Sequence, residues 1–215
     1  MGVPPLDLTG DVHVRPDTDT LFGDLGRALL GAAHAASGER GVFHLAVSGG
    51  STPERFYIRL VTDPSLRDLP WERTHVWLVD ERRVPVEDLR SNYRMVSESL
   101  LDHVPMRRRQ RHPMPVLAAD PAGAYEAELR EAMCPAGAAC LPKLDFVLLG
   151  MGADGHTASL FPRSPALHVT DRLVAVNEGE SVTPPPRVTM TFPLLSAARQ
   201  VAVLVRVRAE PRRPV

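Results

Sequence analysis

The feature that most constrains this chain is a rhythm of short apolar runs separated by amphipathic stretches of about ten to twenty residues. The runs are 12–16 (VHVRP), 43–48 (FHLAVS), 74–81 (THVWLVDE), 144–150 (LDFVLLG), 172–176 (RLVAV), 187–191 (RVTMT) and 200–207 (QVAVLVRV). Helical patterning fills the intervals. It covers about 17–37, then a segment with Thr52 as N-cap and Pro53 as first helical residue that ends near Thr62. It returns from Ser91 to His103 and from Pro121 to about Met133. Strands that are apolar almost throughout need cover on both faces. The pattern therefore predicts an α/β fold, three-layer and doubly wound, around a mostly parallel sheet.

At about 150 residues per domain, 215 residues make one domain. Such a chain hides about 70% of its unfolded surface, enough for a full core. The charge balance of 25 basic against 26 acidic residues gives −1, which excludes a global basic field for nucleic acid. The one basic cluster, 107–112 (RRRQRH), reads as a solvated loop. No apolar run approaches the ~18 residues of a membrane span, and the N-terminus has neither the basic nor the apolar region of a secretory signal. Cys134 and Cys140 are too few for a disulfide framework, so a reducing compartment is the simpler reading. The expectation is a soluble cytoplasmic protein with a small-molecule partner, without nucleic acid or membrane, and with no signal for oligomeric state. Segments 105–115, 134–142 and 177–186 are rich in turn residues and read as flexible.

In open α/β sheets, ligands bind beyond the carboxyl ends of the strands. The second run ends in Ser48, Gly49, Gly50, Ser51 and Thr52 before a helix. Two glycines, two hydroxyls and a helix N-terminus make either a phosphate cradle or an ordinary strand–helix turn. No Walker loop or dinucleotide fingerprint is present. The third run ends Asp80-Glu81-Arg82-Arg83. There Arg82 can grip an anion while Asp80 takes hydroxyls or orients a base, or the four charges form an ion-paired loop. Asn92 can return to the same place. The fourth run ends in glycines 150, 152 and 155 around Asp154 and His156, and imidazole suits proton transfer near neutral pH. Arg187 begins a strand behind prolines, as a second anion clamp or as a surface charge. No H-x-x-x-H pair or Cys/His cluster stands at metal-ligand spacing, so neither metal nor cofactor is expected. Together these residues suit a small sugar phosphate undergoing proton-transfer or water-attack chemistry.

Four ordered motifs carry a resemblance. Residues 45–53 (LAVSGGSTP), 76–84 (VWLVDERRV) with 91–93 (SNY), 148–162 (LLGMGADGHTASLFP) and 184–195 (PPPRVTMTFPLL) resemble the 6-phosphogluconolactonase family. The resemblance implies the fold shared with glucosamine-6-phosphate isomerase/deaminase and ribose-5-phosphate isomerase. It implies metal-free hydrolysis of 6-phospho-D-glucono-1,5-lactone in the oxidative pentose phosphate pathway. It also implies His156 as general base, with Asp154 and Asp80 orienting the imidazole and substrate hydroxyls. Arg82 and Arg187, with Gly49, Gly50, Ser51 and Thr52, then hold the phosphate and the developing oxyanion. The related aminosugar-phosphate deaminases carry a glutamate for ring opening where this chain has Phe161, which favours the lactonase. A Ser-His-Asp esterase with Ser48 as nucleophile is disfavoured, because Asp154 and His156 share one tight loop. After the last strand the family continues with a glycine turn, a lysine and a helix, which residues 206–215 lack. Read one nucleotide out of frame, GC-rich codons for 205–215 can spell such a turn. The expectation is one catalytic domain over 1–215, truncated or frame-shifted after about residue 205. That leaves two alternatives: a truncated, non-catalytic sugar-phosphate-binding relative, or an aminosugar-phosphate isomerase/deaminase.

Overall fold

The computed structural model describes residues 10–178, 182 and 186–206. It opens with α1 (Thr18–Arg40), capped by the Asp17 side chain, which accepts from the Thr20 N–H at 2.7 Å. Gly41 ends α1 in the left-handed region at φ 76°. Next come β1 (Phe43–Val47), α2 (Ser51–Thr62), β2 (Thr74–Leu78), β3 (Asp80–Arg82), α3 (Asn92–Ser99) and β4 (Arg111–His112). The chain continues through α4 (Pro121–Met133), β5 (Phe146–Gly150), β6 (Val174–Asn177), β7 (Arg187–Met190), α5 (Phe192–Ser196) and β8 (Val201–Leu204).

Five strands in the order β4-β2-β1-β5-β8 form a parallel central sheet. The chain runs outward from β1 to β2 and β4, then jumps back to β5. The strand order therefore reverses between β1 and β5, the position at which open α/β sheets bind ligands. The right-handed crossover rule puts α2 and α3 on one face and α4 on the other, and α2 and α3 pack on each other. Phe22 of α1 meets Phe56 of α2 edge-on at 5.5 Å, and Tyr125 of α4 meets Trp77 of β2 at 5.8 Å. β1 is buried along its whole length, which is why its sequence shows no alternation. Among the described residues, no helix is long and apolar enough to cross a membrane.

Several local expectations change. Residues 74–81 are two strands, divided at Val79. The Val79 N–H donates to the Val47 carbonyl at 3.0 Å, and its own carbonyl accepts from the Met190 N–H at 2.7 Å. Beyond it the chain joins a second, antiparallel sheet ordered β3-β7-β6. The fifth and sixth runs thus leave the parallel sheet and cover the end of β2. Residues 12–16 are not a strand and join neither sheet; Val12 and Val14 stand 59% and 81% exposed. The N-cap of α2 is Gly50, not Thr52, and Ser51 is already helical. Gly50 makes the turn at φ 111°, which a residue with a side chain rarely adopts. Ser91 caps α3 by accepting from the Arg94 N–H at 3.1 Å, but α3 stops at Ser99 and a 3-10 turn completes the path to His103.

Segment 105–115, expected to be flexible, carries β4 and the buried Gln110, whose amide donates to the Trp71 and Thr74 carbonyls at 2.9 and 2.7 Å. Cys134 and Cys140, read from the sequence as thiols of a reducing compartment, form a disulfide with Cα atoms 5.8 Å apart. The turn-rich loop between α4 and β5 brings them within bonding reach. Residues 179–181 and 183–185 of the third turn-rich segment lie outside the described residues. So does 207–215, all but the first residue of the segment 206–215 on which the expected departure from the family pattern falls; Arg206 itself is described and lines the cleft beyond the carboxyl ends of the strands.

Candidate active site

The carboxyl ends of β1, β3 and β5 and the start of β7 converge on one cleft of about 400 Å³, a size suited to a small phosphorylated ligand. Ser48, Gly49, Gly50, Ser51 and Thr52 form one wall. Ser48 is a strut rather than a free hydroxyl: it is buried, donates to the Leu148 carbonyl at 2.9 Å and accepts from the Gly150 N–H at 3.3 Å. Gly49 admits Asn92, since a methyl group on it would lie 1.9 Å from the Asn92 Oδ1. Ser51 and Thr52 open α2, so their amides have no partner within the helix and form a positive rim.

Asp80, Arg82 and Asn92 form the second wall. Asp80 is buried, accepts the Ser159 hydroxyl at 2.5 Å and receives the Asn92 amide at 3.2 Å. The same amide also donates to the Asp80 carbonyl at 2.9 Å. Burial pushes the Asp80 carboxyl pKa up, against the Ser159 hydrogen bond and the nearby charges of Arg82, Arg187 and His156. Arg82 and Arg187 sit directly opposite each other in the β3–β7 ladder. Arg187 is nearly buried, and burial, with the Arg82 charge beside it, pushes its pKa down. Arg82 Nη1 donates to the Arg90 carbonyl, while its buried Nε has no hydrogen-bond partner. Like charges in cross-strand register repel, and an anion between them removes the penalty.

The third wall is the glycine loop after β5. His156 Nδ1 lies 2.5 Å from Asp154 Oδ1, and that bond holds the Asp154 carboxyl below the usual carboxylate range. Asp154 stands behind the imidazole and, unlike His156, does not line the cleft. The tight loop therefore does let a carboxylate orient this ring, contrary to the objection raised against an esterase. What removes the esterase is Ser48, whose proton is already committed to Leu148. Sequence reasoning missed three contributors. Ser159 bonds Asp80, and Phe161 packs its ring 4.4 Å from the imidazole. Glu81 accepts the Arg82 and Asn92 N–H groups, each at 2.7 Å. The first two lie just past the DGH motif, where a helix or loop reading is silent about direction. Among the described residues no cluster of His, Cys, Asp or Glu could hold a metal ion.

Fold and cleft together define an α/β protein with paired guanidiniums, hydroxyls and a carboxylate-backed imidazole at the switch point of its parallel sheet. The family model described as glucosamine-6-phosphate isomerases/6-phosphogluconolactonase matches residues 16–209, and the chain belongs to that family. It is 45% identical over 173 residues to a 6-phosphogluconolactonase of Synechocystis sp., covering 79% of this chain and 69% of that protein. The structure of a 6-phosphogluconolactonase from Trypanosoma brucei superposes with a TM-score of 0.74 at 30% identity, covering 90% of this chain and 80% of that one. A Thermotoga maritima 6-phosphogluconolactonase gives a TM-score of 0.73 at 28% identity, with 87% and 80% covered.

Proposed function

We propose that this chain hydrolyses 6-phospho-D-glucono-1,5-lactone to 6-phospho-D-gluconate, the lactone-opening step of the oxidative pentose phosphate pathway. The observation that carries the reading is His156, backed by Asp154, facing the same cleft as the cross-strand pair Arg82–Arg187. A δ-lactone is an activated ester, so a positioned water, one base and an electrostatic clamp suffice, and no covalent nucleophile is needed. His156 takes a proton from water through the nitrogen that Asp154 leaves unengaged, and Asp154 stabilises the imidazolium that forms. The hydroxide oxygen bonds to the lactone carbonyl carbon. The carbon–oxygen bond of the ring then breaks, and the imidazolium returns its proton to the departing alkoxide. Arg82, Arg187 and the amide end of α2 supply positive charge for the phosphate and the oxyanion. Asp80 and Asn92, locked to each other, hold sugar hydroxyls. Phe161 offers no carboxylate for opening an aminosugar ring, which sets the isomerase reading aside.

The test is hydrolysis above the spontaneous rate by the purified chain and by His156→Ala. General-base assistance is worth about 10²–10⁴-fold, so the variant is expected to lose at least about a hundredfold in kcat with an unchanged circular dichroism spectrum. An unchanged kcat in that variant removes His156 from the mechanism.

A further inference from the structure

We propose that Phe161 is a positioning residue whose single ring holds the catalytic imidazole and the buried arginine of the anion pair in fixed relation. The inference rests on the hydrolysis assigned above to His156. The Phe161 ring lies 4.4 Å from the His156 ring, centroid to centroid, with the planes tilted by 37°. The Arg187 Cζ stands 5.9 Å from the centroid of the same ring. Phe161 is 4% exposed and Arg187 7%, so these two side chains lie together away from bulk solvent, with His156 beside them at the cleft.

The Asp154 hydrogen bond fixes one imidazole nitrogen but allows the ring to swing about that bond. Two neighbours limit the swing. One is the Phe161 face; the other is the Gly152 backbone, where an added methyl group would lie 2.2 Å from His156 Cε1. An imidazole bounded in this way keeps its second nitrogen in one direction, as proton transfer from a bound water requires. The aromatic face also attracts cations. It is therefore matched to Arg187 at all times and to His156 once it has taken the water proton.

The backbone around Phe161 is constrained to present the ring there. Ala158 and Arg163 adopt positive φ of 48° and 65°, unusual for residues with side chains. Thr157 and Leu160 are bridged, and the Ser164 N–H closes the turn on the Phe161 carbonyl at 3.0 Å. Strained loops of this kind persist where the surroundings fix them and cluster at functional sites.

Phe161→Leu keeps an apolar side chain and removes the aromatic face. It is expected to lower kcat about tenfold or more and to raise both KM and the dissociation constant of 6-phosphogluconate, because the ring serves the imidazole and the arginine at once. Phe161→Tyr retains the face and should recover most of both parameters. Active-site content is fixed by the calorimetric stoichiometry of 6-phosphogluconate binding, and kcat is counted per binding site. A Leu variant within twofold of wild type in kcat and KM overturns the inference and leaves the His156 mechanism standing. So does a Leu variant that merely loses binding sites with KM unchanged, or a Tyr variant that falls as far as Leu at full stoichiometry. A wild-type chain that opens the lactone no faster than water overturns the functional reading, and this inference with it.

Discussion

Glu81 does not line the cleft, yet two cleft residues depend on it. Its Oε1 accepts the N–H groups of Arg82 and Asn92, each at 2.7 Å, and its Oε2 accepts the Tyr93 N–H at 2.8 Å and the Ser91 hydroxyl at 3.0 Å. One carboxylate therefore ties the end of β3 to the start of α3. Burial raises its pKa, and the backbone donors of Tyr93, Asn92 and Arg82 work against that rise. Glu81→Ala strands buried donors, each at a cost of about 1–3 kcal/mol. The expected result is a loss on the order of 3 kcal/mol in urea unfolding, with kcat/KM reduced at least about tenfold as Arg82 and Asn92 shift. A variant with wild-type stability and kinetics would mean that α3 and β3 hold their places without this clamp. In the sequence, 80–83 is a row of four charges, and charge type does not say which of them turn inward. The alternation of β3 does: Asp80 and Arg82 point one way and Glu81 the other. The cleft residues at glycines and at the DGH motif were legible because backbone freedom and an isolated imidazole are local signals. Ser159 and Phe161 were not legible as contributors, since their roles come from partners in other elements.

Among elements, the face of the central sheet covered by α4 holds an unusual group. His44 of β1 and His75 of β2 are in register, and His112 of β4 lies beside Trp77 with rings stacked at 3.6 Å. The Trp77 indole donates to His44 Nδ1 at 3.1 Å, and His75 Nδ1 lies 2.9 Å from His112 Nε2. His112 Nδ1 reaches Glu128 of α4 at 2.5 Å. Burial, with the charges of His75, His112 and Arg40 nearby, pushes His44 from 6.5 down to about 3. Burial, with His112 and Arg109, pushes His75 down to about 4. In the unfolded chain His44 and His75 take up protons near pH 6.5, whereas in the folded chain these two resist until well below. The unfolded form thus binds more protons in that window, and stability falls as pH drops from about 6.5 to about 4. Thermal unfolding across that range should show Tm falling steeply, with a shallower slope in His75→Gln; an equal slope in the variant would acquit the cluster. Helices α1 and α4 were legible because their starts carry local signals, Asp17 and Pro121, whereas the short α5 was not read at all. The division at Val79 was not legible, because VWLV runs into Asp80 and Glu81 with no turn residue between them, and the change of sheet depends on pairing with residues about 110 positions later. β4 was hidden for the same reason: two residues inside an Arg- and Pro-rich segment pair only because β2 offers an edge.

At the scale of the whole molecule, the two ends of the sheet have separate duties. The cleft occupies the carboxyl ends of the strands, while the Cys134–Cys140 loop leads into the amino end of β5. Closing so short a loop contributes about 2 kcal/mol by restricting the unfolded chain. For a chain of this length that corresponds to a Tm change of about 4–8 °C. Reduction with dithiothreitol, or Cys134→Ser, is expected to lower Tm by that amount and to leave lactone hydrolysis at 25 °C unchanged. A fall in kcat on reduction would tie the loop to the cleft across the sheet. Two cysteines could be counted in the sequence, but their separation in space could not.

The two sheets are joined by Val79, with its amide on one and its carbonyl on the other. Successive side chains of a strand face opposite ways, so one residue inserted or deleted at this joint turns β3 over. Glu81 would then face the ligand, and Asp80 and Arg82 the interior. Among the described residues β8 is outermost in one sheet and β6 in the other, and a change of length beyond them leaves that phase undisturbed. A change of length across this one peptide unit is therefore incompatible with the cleft. That joint has to be conserved in residue count even where its side chains are free to change.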